Sequence, residues 1–175
     1  MKKILKIIAI VLVVGVIGIQ FVRPARTNPQ SDPKLAIEAN AKVPPDVAKI
    51  LTTSCKDCHS NKTVWPWYSN VAPFSWFLID HVNDGRRELN FSDWGKYTER
   101  RRNHKLKELC EQVESHEMPH PQYLWIHWDA VLNDGQIKTL CNWSKGIMTE
   151  AAKSSGSDEK GNAGKDSDES PAKER

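Results

Sequence analysis

The sequence predicts an all-α protein. Three observations carry that expectation. Apolar residues recur at i, i+3, i+4, i+7 in several stretches between Pro44 and Met148. Helix-starting and helix-ending residues bracket those stretches. No segment alternates apolar and polar residues with period two for long enough to argue for a sheet.

At 175 residues the chain is long enough for one domain. It opens Met1-Lys2-Lys3-Ile4-Leu5-Lys6, followed by an apolar run from Ile7 to Val22. Lysines ahead of an apolar stretch mark an export signal. No small-x-small cleavage pattern follows, and counted from Ile4 the stretch approaches the ~20 residues that span a bilayer. Residues 1–22 are therefore expected to form an uncleaved anchor, with a cleaved signal as the alternative. The lysines would stay in the cytoplasm and the rest would lie outside it, on the periplasmic side of the inner membrane. Residues 23–43, with Pro24, Pro29 and Pro33 and little periodicity, read as a linker.

A domain is expected over 44–148. Pro44-Pro45-Asp46 opens a helix with Val47, Ile50, Leu51 and Ser54 on one face, running into Cys55-Lys56-Asp57-Cys58-His59. Asn61 to Asn70 is a loop carrying Trp65, Trp67 and Tyr68. Pro73 starts a second helix with Phe74, Phe77, Leu78, His81 and Val82 on one apolar face, and Gly85 is expected to end it in the left-handed conformation. Ser92 is the expected N-cap of a short helix carrying Trp94 and Tyr97. Leu106, Leu109, Cys110 and Val113 mark a further helix, and Met118-Pro119 breaks the chain. Leu124, His127, Trp128 and Val131 suggest a short helix. Asn133-Asp134-Gly135 caps the last one, with Ile137, Leu140, Cys141 and Ser144 on one side. From 149 to 175 almost nothing is apolar, so this segment is expected to be a disordered charged tail.

The chemistry concentrates in Cys55–His59. Cys-x-x-Cys-His is the attachment spacing of a c-type haem: two thiols reach the two vinyl groups and the adjacent imidazole meets the iron. With four Cys and six His in 175 residues, chance supplies roughly 0.003 copies of this pattern. A thiol redox pair is one alternative, but no βαβ pattern surrounds it. Half a zinc site is another, but Cys110 and Cys141 stand far apart in sequence. One covalent haem c is the expected cofactor, with His59 as proximal iron ligand.

For the opposite side of the iron, Met118 is the leading candidate, since a thioether suits haem iron and Pro119 shapes its loop. His81 is the rival; His116 and His120 flank Met118, and an open site is a further possibility. Trp65 and Trp67 would pack on the porphyrin, or serve simply as core aromatics. Arg86 or Arg87 would pair with a propionate, or lie on a solvated turn. Cys110 and Cys141 lie on apolar helix faces; a disulfide and two buried thiols both fit.

A first helix ending in this motif, then Met-Pro, then a capped last helix resembles the cytochrome c plan. The closer resemblance is to the small exported haem-binding domain family with one Cys-x-x-Cys-His. It is carried by Cys55–Asn61, Trp65–Asn70, Ala72-Pro73-Phe74-Ser75-Trp76, His81-Val82, Gly85-Arg86, Leu89–Trp94 and Met118-Pro119, within roughly Pro45 to Trp143. The resemblance implies a helical domain wrapped around one covalent haem, its first and last helices crossing and Met118 as second iron ligand. Such domains also occur joined to larger exported cytochromes and peroxidases. The expected function is one-electron transfer by a membrane-anchored mono-haem cytochrome, with a redox protein as partner. A haem peroxidase module and a haem-based sensor with an open distal site are the alternatives. The net charge of +3 is too small to argue for nucleic acid.

Overall fold

The fold comes from a computed structural model that describes residues 1–161, with side chains through Glu150. Among the described residues it is all helical, with no strand. The α-helices are α1 (Lys2–Ile19), α2 (Ile37–Asn40), α3 (Pro45–Ser54), α4 (Lys56–His59), α5 (Phe74–Glu88), α6 (Glu99–Glu114) and α7 (Asp134–Gly161). Short 3-10 turns at Pro33–Leu35, Trp67–Asn70, Phe91–Lys96, Tyr123–Trp125 and Trp128–Ala130 join them.

The core forms where α3, α6 and α7 meet. Val47, Ile50 and Leu51 of α3 pack with Leu106, Cys110 and Val113 of α6 and with Ile137, Leu140 and Trp143 of α7, and Phe91 and Trp94 fill the remaining space. These are the faces that the helical spacing marks out. A disulfide joins Cys110 to Cys141, with their Cα atoms 5.0 Å apart, and so clamps α6 to α7. That selects one of the two readings left open for these cysteines. α7 starts with a reciprocal cap: Asn133 Oδ1 accepts from the Gln136 amide and Gln136 Oε1 accepts from the Asn133 amide, both at 2.9 Å.

Several expectations are corrected. Residues 23–43 are not a free linker. Ile37 is fully buried in the core, and Trp143 Nε1 donates to the Lys42 carbonyl at 2.9 Å. Arg26 hydrogen-bonds Ser69 at 3.2 Å and also Asn70, and Asn28 donates to the Thr63 carbonyl at 2.9 Å. Polar side chains thus stitch this strap to the loop after the motif, an attachment that apolar periodicity does not register.

The expected membrane-spanning helix over 1–22 is not supported. α1 carries Lys2, Lys3 and Lys6, and no helix among the described residues is long and apolar enough to cross a membrane. Its uncharged part, Ile7–Ile19, measures roughly 20 Å at 1.5 Å per residue, against ~30 Å for a hydrocarbon core.

Gly85 does not end α5; the helix continues to Glu88 and no glycine among the described residues has positive φ. Of the apolar face read for α5 only Val82 is buried, together with Ser75 and Ile79, whereas Phe74 and Phe77 stay exposed. Asn90, not Ser92, caps the turn at 91–96, accepting from the Ser92 amide at 2.9 Å; Ser92 Oγ instead accepts from the Asn61 amide at 3.0 Å. Instead of one short helix after Met118 there are two 3-10 turns. The tail expected from 149 is helical as far as Gly161, and the remainder of it lies outside the described residues.

Candidate functional site

α3 runs directly into the motif. The chain bends at Cys55 (φ −127°, ψ −43°) and turns again as α4, where the Cys58 and His59 amides donate back to the Cys55 carbonyl at 3.2 and 2.9 Å. That turn sets both thiols and the imidazole on one short arc. The side chain of Asp57 fastens the arc from outside: its Oδ1 accepts from the Val64 amide at 3.0 Å and its Oδ2 from the Tyr123 hydroxyl at 3.1 Å.

His59 is oriented by main-chain oxygens. Its Nδ1 lies 3.0 Å from the Gly85 carbonyl and 3.0 Å from the Leu89 carbonyl. Carbonyls only accept, so the proton sits on Nδ1 and the lone pair on Nε2. Burial pushes the His59 pKa down, against the two hydrogen bonds that raise it. The ring is thus held neutral with one nitrogen available to a metal, the arrangement in which a histidine ligates iron.

Gly85 allows α5 to come this close. A Cβ there would sit 2.9 Å from the Cys58 carbonyl oxygen. The glycine is needed for approach, not for its backbone freedom.

Three hollows meet at the motif. One of about 240 Å³ is lined by Cys55, His59, Leu89, Phe91, Leu109 and Met118 among others. A second, about 170 Å³, is lined by Cys55, Cys58, His59, His81, Met118 and His120 among others. A third, about 370 Å³, reaches Cys58 and is walled by Trp67, Tyr68, Phe74, Phe77, Trp125 and their neighbours. Together they make an apolar crevice of the size that ligand sites occupy.

The structure brings Cys55, Cys58, His59, Met118 and His81 to this crevice, along with His120; the His81 and His120 rings stand 4.8 Å apart. His116 is exposed and lines none of the three hollows. Trp67 walls the third hollow but is 74% exposed. Trp65 and Arg86 are not at the crevice. The guanidinium of Arg86 is taken up by the Ser60 and Thr27 carbonyls (2.8 and 2.7 Å), Asn28 Oδ1 (2.8 Å) and Thr63 Oγ1 (2.7 Å), and stands 5.9 Å from the Trp65 ring centre. Arg87 pairs with Asp84 at the surface.

Sequence reasoning missed Tyr123, the ring of which stacks on His127 at 4.0 Å, and the bond of 2.8 Å between the Tyr68 hydroxyl and His127 Nε2. No local signal points to a contact spanning 66 residues, such as Tyr123 to Asp57. Asp57 itself was findable, lying inside the motif.

The site's chemistry discriminates among the readings of the two cysteines. Neither is in a disulfide. Burial pushes Cys55 up to about 12, helped by neighbouring Cys58, and pushes Cys58 up to about 11, helped by Asp57. A working redox dithiol needs the opposite shift. A four-thiolate zinc site is closed off because the other two cysteines are bonded to each other.

A helical shell over an apolar crevice, with a half-buried imidazole that offers Nε2, defines a domain built to hold haem. The chain belongs to the haem-binding domain family, whose model matches residues 14–146. The match extends upstream of the motifs that carry the resemblance and takes in the strap and the end of α1. No curated protein and no solved structure matches the chain.

Proposed function

We propose that this haem-binding protein is a mono-haem c-type cytochrome that passes single electrons outside the cytoplasmic membrane. The observation that carries the reading is the pairing of Cys55, Cys58 and a main-chain-oriented His59 on one turn at the mouth of an apolar crevice. When bound, haem supplies a one-electron couple at its iron. Cys55 and Cys58 would hold it by thioether bonds. His59 Nε2 and the Met118 sulfur would hold its iron, since Met118 lines both hollows that His59 lines. Phe91, Leu89 and Val113 exclude water from that space. The extracytoplasmic setting is supported by the lysines ahead of the apolar α1 and by a disulfide, which persists where the environment is oxidising. In this reading α1 directs the chain to the membrane and holds it there, and the electron partner is another protein.

A second reading, a peroxidase-like or ligand-sensing haem, draws on the His81–His120 pair facing the same hollow. Two measurements separate the readings. An alkaline pyridine haemochrome spectrum of wild type should show haem c, and the signal should vanish in Cys55→Ala plus Cys58→Ala; a full signal in that variant refutes covalent attachment. Ferric protein should show the sulfur-to-iron charge-transfer band and lose it in Met118→Ala. If wild type lacks that band and its reduced form binds carbon monoxide readily, the distal site is open and the second reading holds.

A further inference from the structure

We propose that Lys105 is the cation that meets a haem propionate in this crevice. The inference rests on haem binding alone and holds whether or not the haem is covalently attached.

Haem carries propionate carboxylates, and an anion drawn into an apolar crevice is costly unless a cation or hydrogen-bond donors meet it. The arginines nearest the motif in sequence are engaged elsewhere, Arg86 by the strap and the loop after the motif, Arg87 by Asp84. Among the described residues that line the three hollows, Lys105 is the one Lys or Arg. It shares the first hollow with Cys55, His59 and Met118.

The period of α6 puts it there. Lys105, Leu109 and Gln112 stand at i, i+4 and i+7, so they share one face of the helix, and all three line that hollow. The Lys105 side chain is only 11% exposed, against 41% for Glu108 and 70% for Glu88. A lysine this well covered is rare unless it is paired. Its pairing is incomplete. An ammonium has three N–H donors. Glu108 Oε2 accepts one of them at 2.8 Å, while Glu88 Oε2, at 3.8 Å, is beyond hydrogen-bond reach. Donor capacity is therefore left for a further acceptor. The two glutamates are counter-charges in solvent contact, and such pairs are weakly held. Either can turn into water when another carboxylate takes the ammonium. Gln112 adds a neutral N–H donor on the same face.

The test uses the full haem-loaded chain and reads the propionate bending modes in its resonance Raman spectrum, together with the reduction potential. Lys105→Met keeps the packed stem and removes the charge. It should move the propionate band and lower the potential, because a lost positive charge makes ferric iron easier to keep. Lys105→Arg should hold the potential near the wild-type value. The same comparison in a Glu108→Gln background separates propionate contact from a role through Glu108: the Lys105→Met shifts should persist there. Shifts that vanish in that background overturn the proposal, and so does an unmoved propionate band in Lys105→Met, whatever the potential does. If Lys105→Met fails to load haem, Lys105→Arg decides: its altered donor geometry should still move the band, and an unmoved band overturns the proposal. An unaltered chain that takes up no haem overturns the haem reading itself, and this inference with it.

Discussion

Replacing Gly85 with alanine tests how the haem crevice is closed. Inside an exposed helix the change would be favourable by up to about 1 kcal/mol, because alanine is the better helix former. Here the added Cβ would lie 2.9 Å from the Cys58 carbonyl oxygen and 3.3 Å from that residue's carbonyl carbon and Cβ. Each of these is backbone or backbone-adjacent, so α5 must move off the motif. Overpacking of this kind costs about 1–3 kcal/mol. The Gly85 carbonyl moves too, and a weakened bond to His59 Nδ1 adds about 1 kcal/mol. The net expectation for Gly85→Ala is destabilisation by about 1–3 kcal/mol, read as a lower urea midpoint at unchanged slope, together with an altered axial-ligand spectrum. Gly146→Ala is the control. Gly146 lies in α7 with nothing within 4 Å of its Cβ position, so that variant should gain about 0.5–1 kcal/mol. If Gly85→Ala is stabilised as Gly146→Ala is, and its haem spectrum is unchanged, the close approach of α5 to the motif is refuted.

Three further outcomes are expected. Replacing both Cys110 and Cys141 by serine opens a loop of sequence separation 31 and should cost about 3–4 kcal/mol on the chain-entropy argument, measured by urea unfolding. Arg86→Lys keeps the charge but loses most of four hydrogen bonds, which should cost roughly 2–4 kcal/mol and expose residues 23–30 to limited proteolysis; a shifted reduction potential with no loss of stability would instead restore Arg86 to a propionate role. Burial, with Cys58 and Asp57 nearby, pushes Tyr68 from its ordinary 10 up to about 12. A raised pKa means that its contribution is full below pH 10 and lost as pH climbs from 10 to 12, so unfolding midpoints should fall in that window and fall less in Tyr68→Phe.

The core was legible because it is built from what periodicity detects. Val47, Ile50 and Leu51, then Leu106, Cys110 and Val113, then Ile137 and Leu140 mark three faces, and those faces meet. The motif was legible because all its chemistry lies within five residues. Two things were not. Phe74 and Phe77 share an apolar stripe, yet they face a crevice and solvent; spacing reveals a stripe but not what will cover it. The strap at 23–43 looked like a linker because Arg26, Asn28 and Arg86 hold it through polar bonds to main-chain and side-chain oxygens, which leave no pattern in the order of residues. The bonds of Arg86 went unread for the same reason: a guanidinium does not announce which carbonyls it will find.

The two groups that steer His59 are peptide oxygens, at Gly85 and at Leu89. Every amino acid that could stand at those positions carries the same oxygen. No point substitution can delete either acceptor outright; it can only reroute the helix that presents them. The setting of the His59 imidazole is thereby insulated from ordinary sequence drift. Under the proposed reading of His59 and Met118 as iron ligands, a lineage seeking a different reduction potential would vary Met118 and its neighbours, where the determinants are side chains open to replacement.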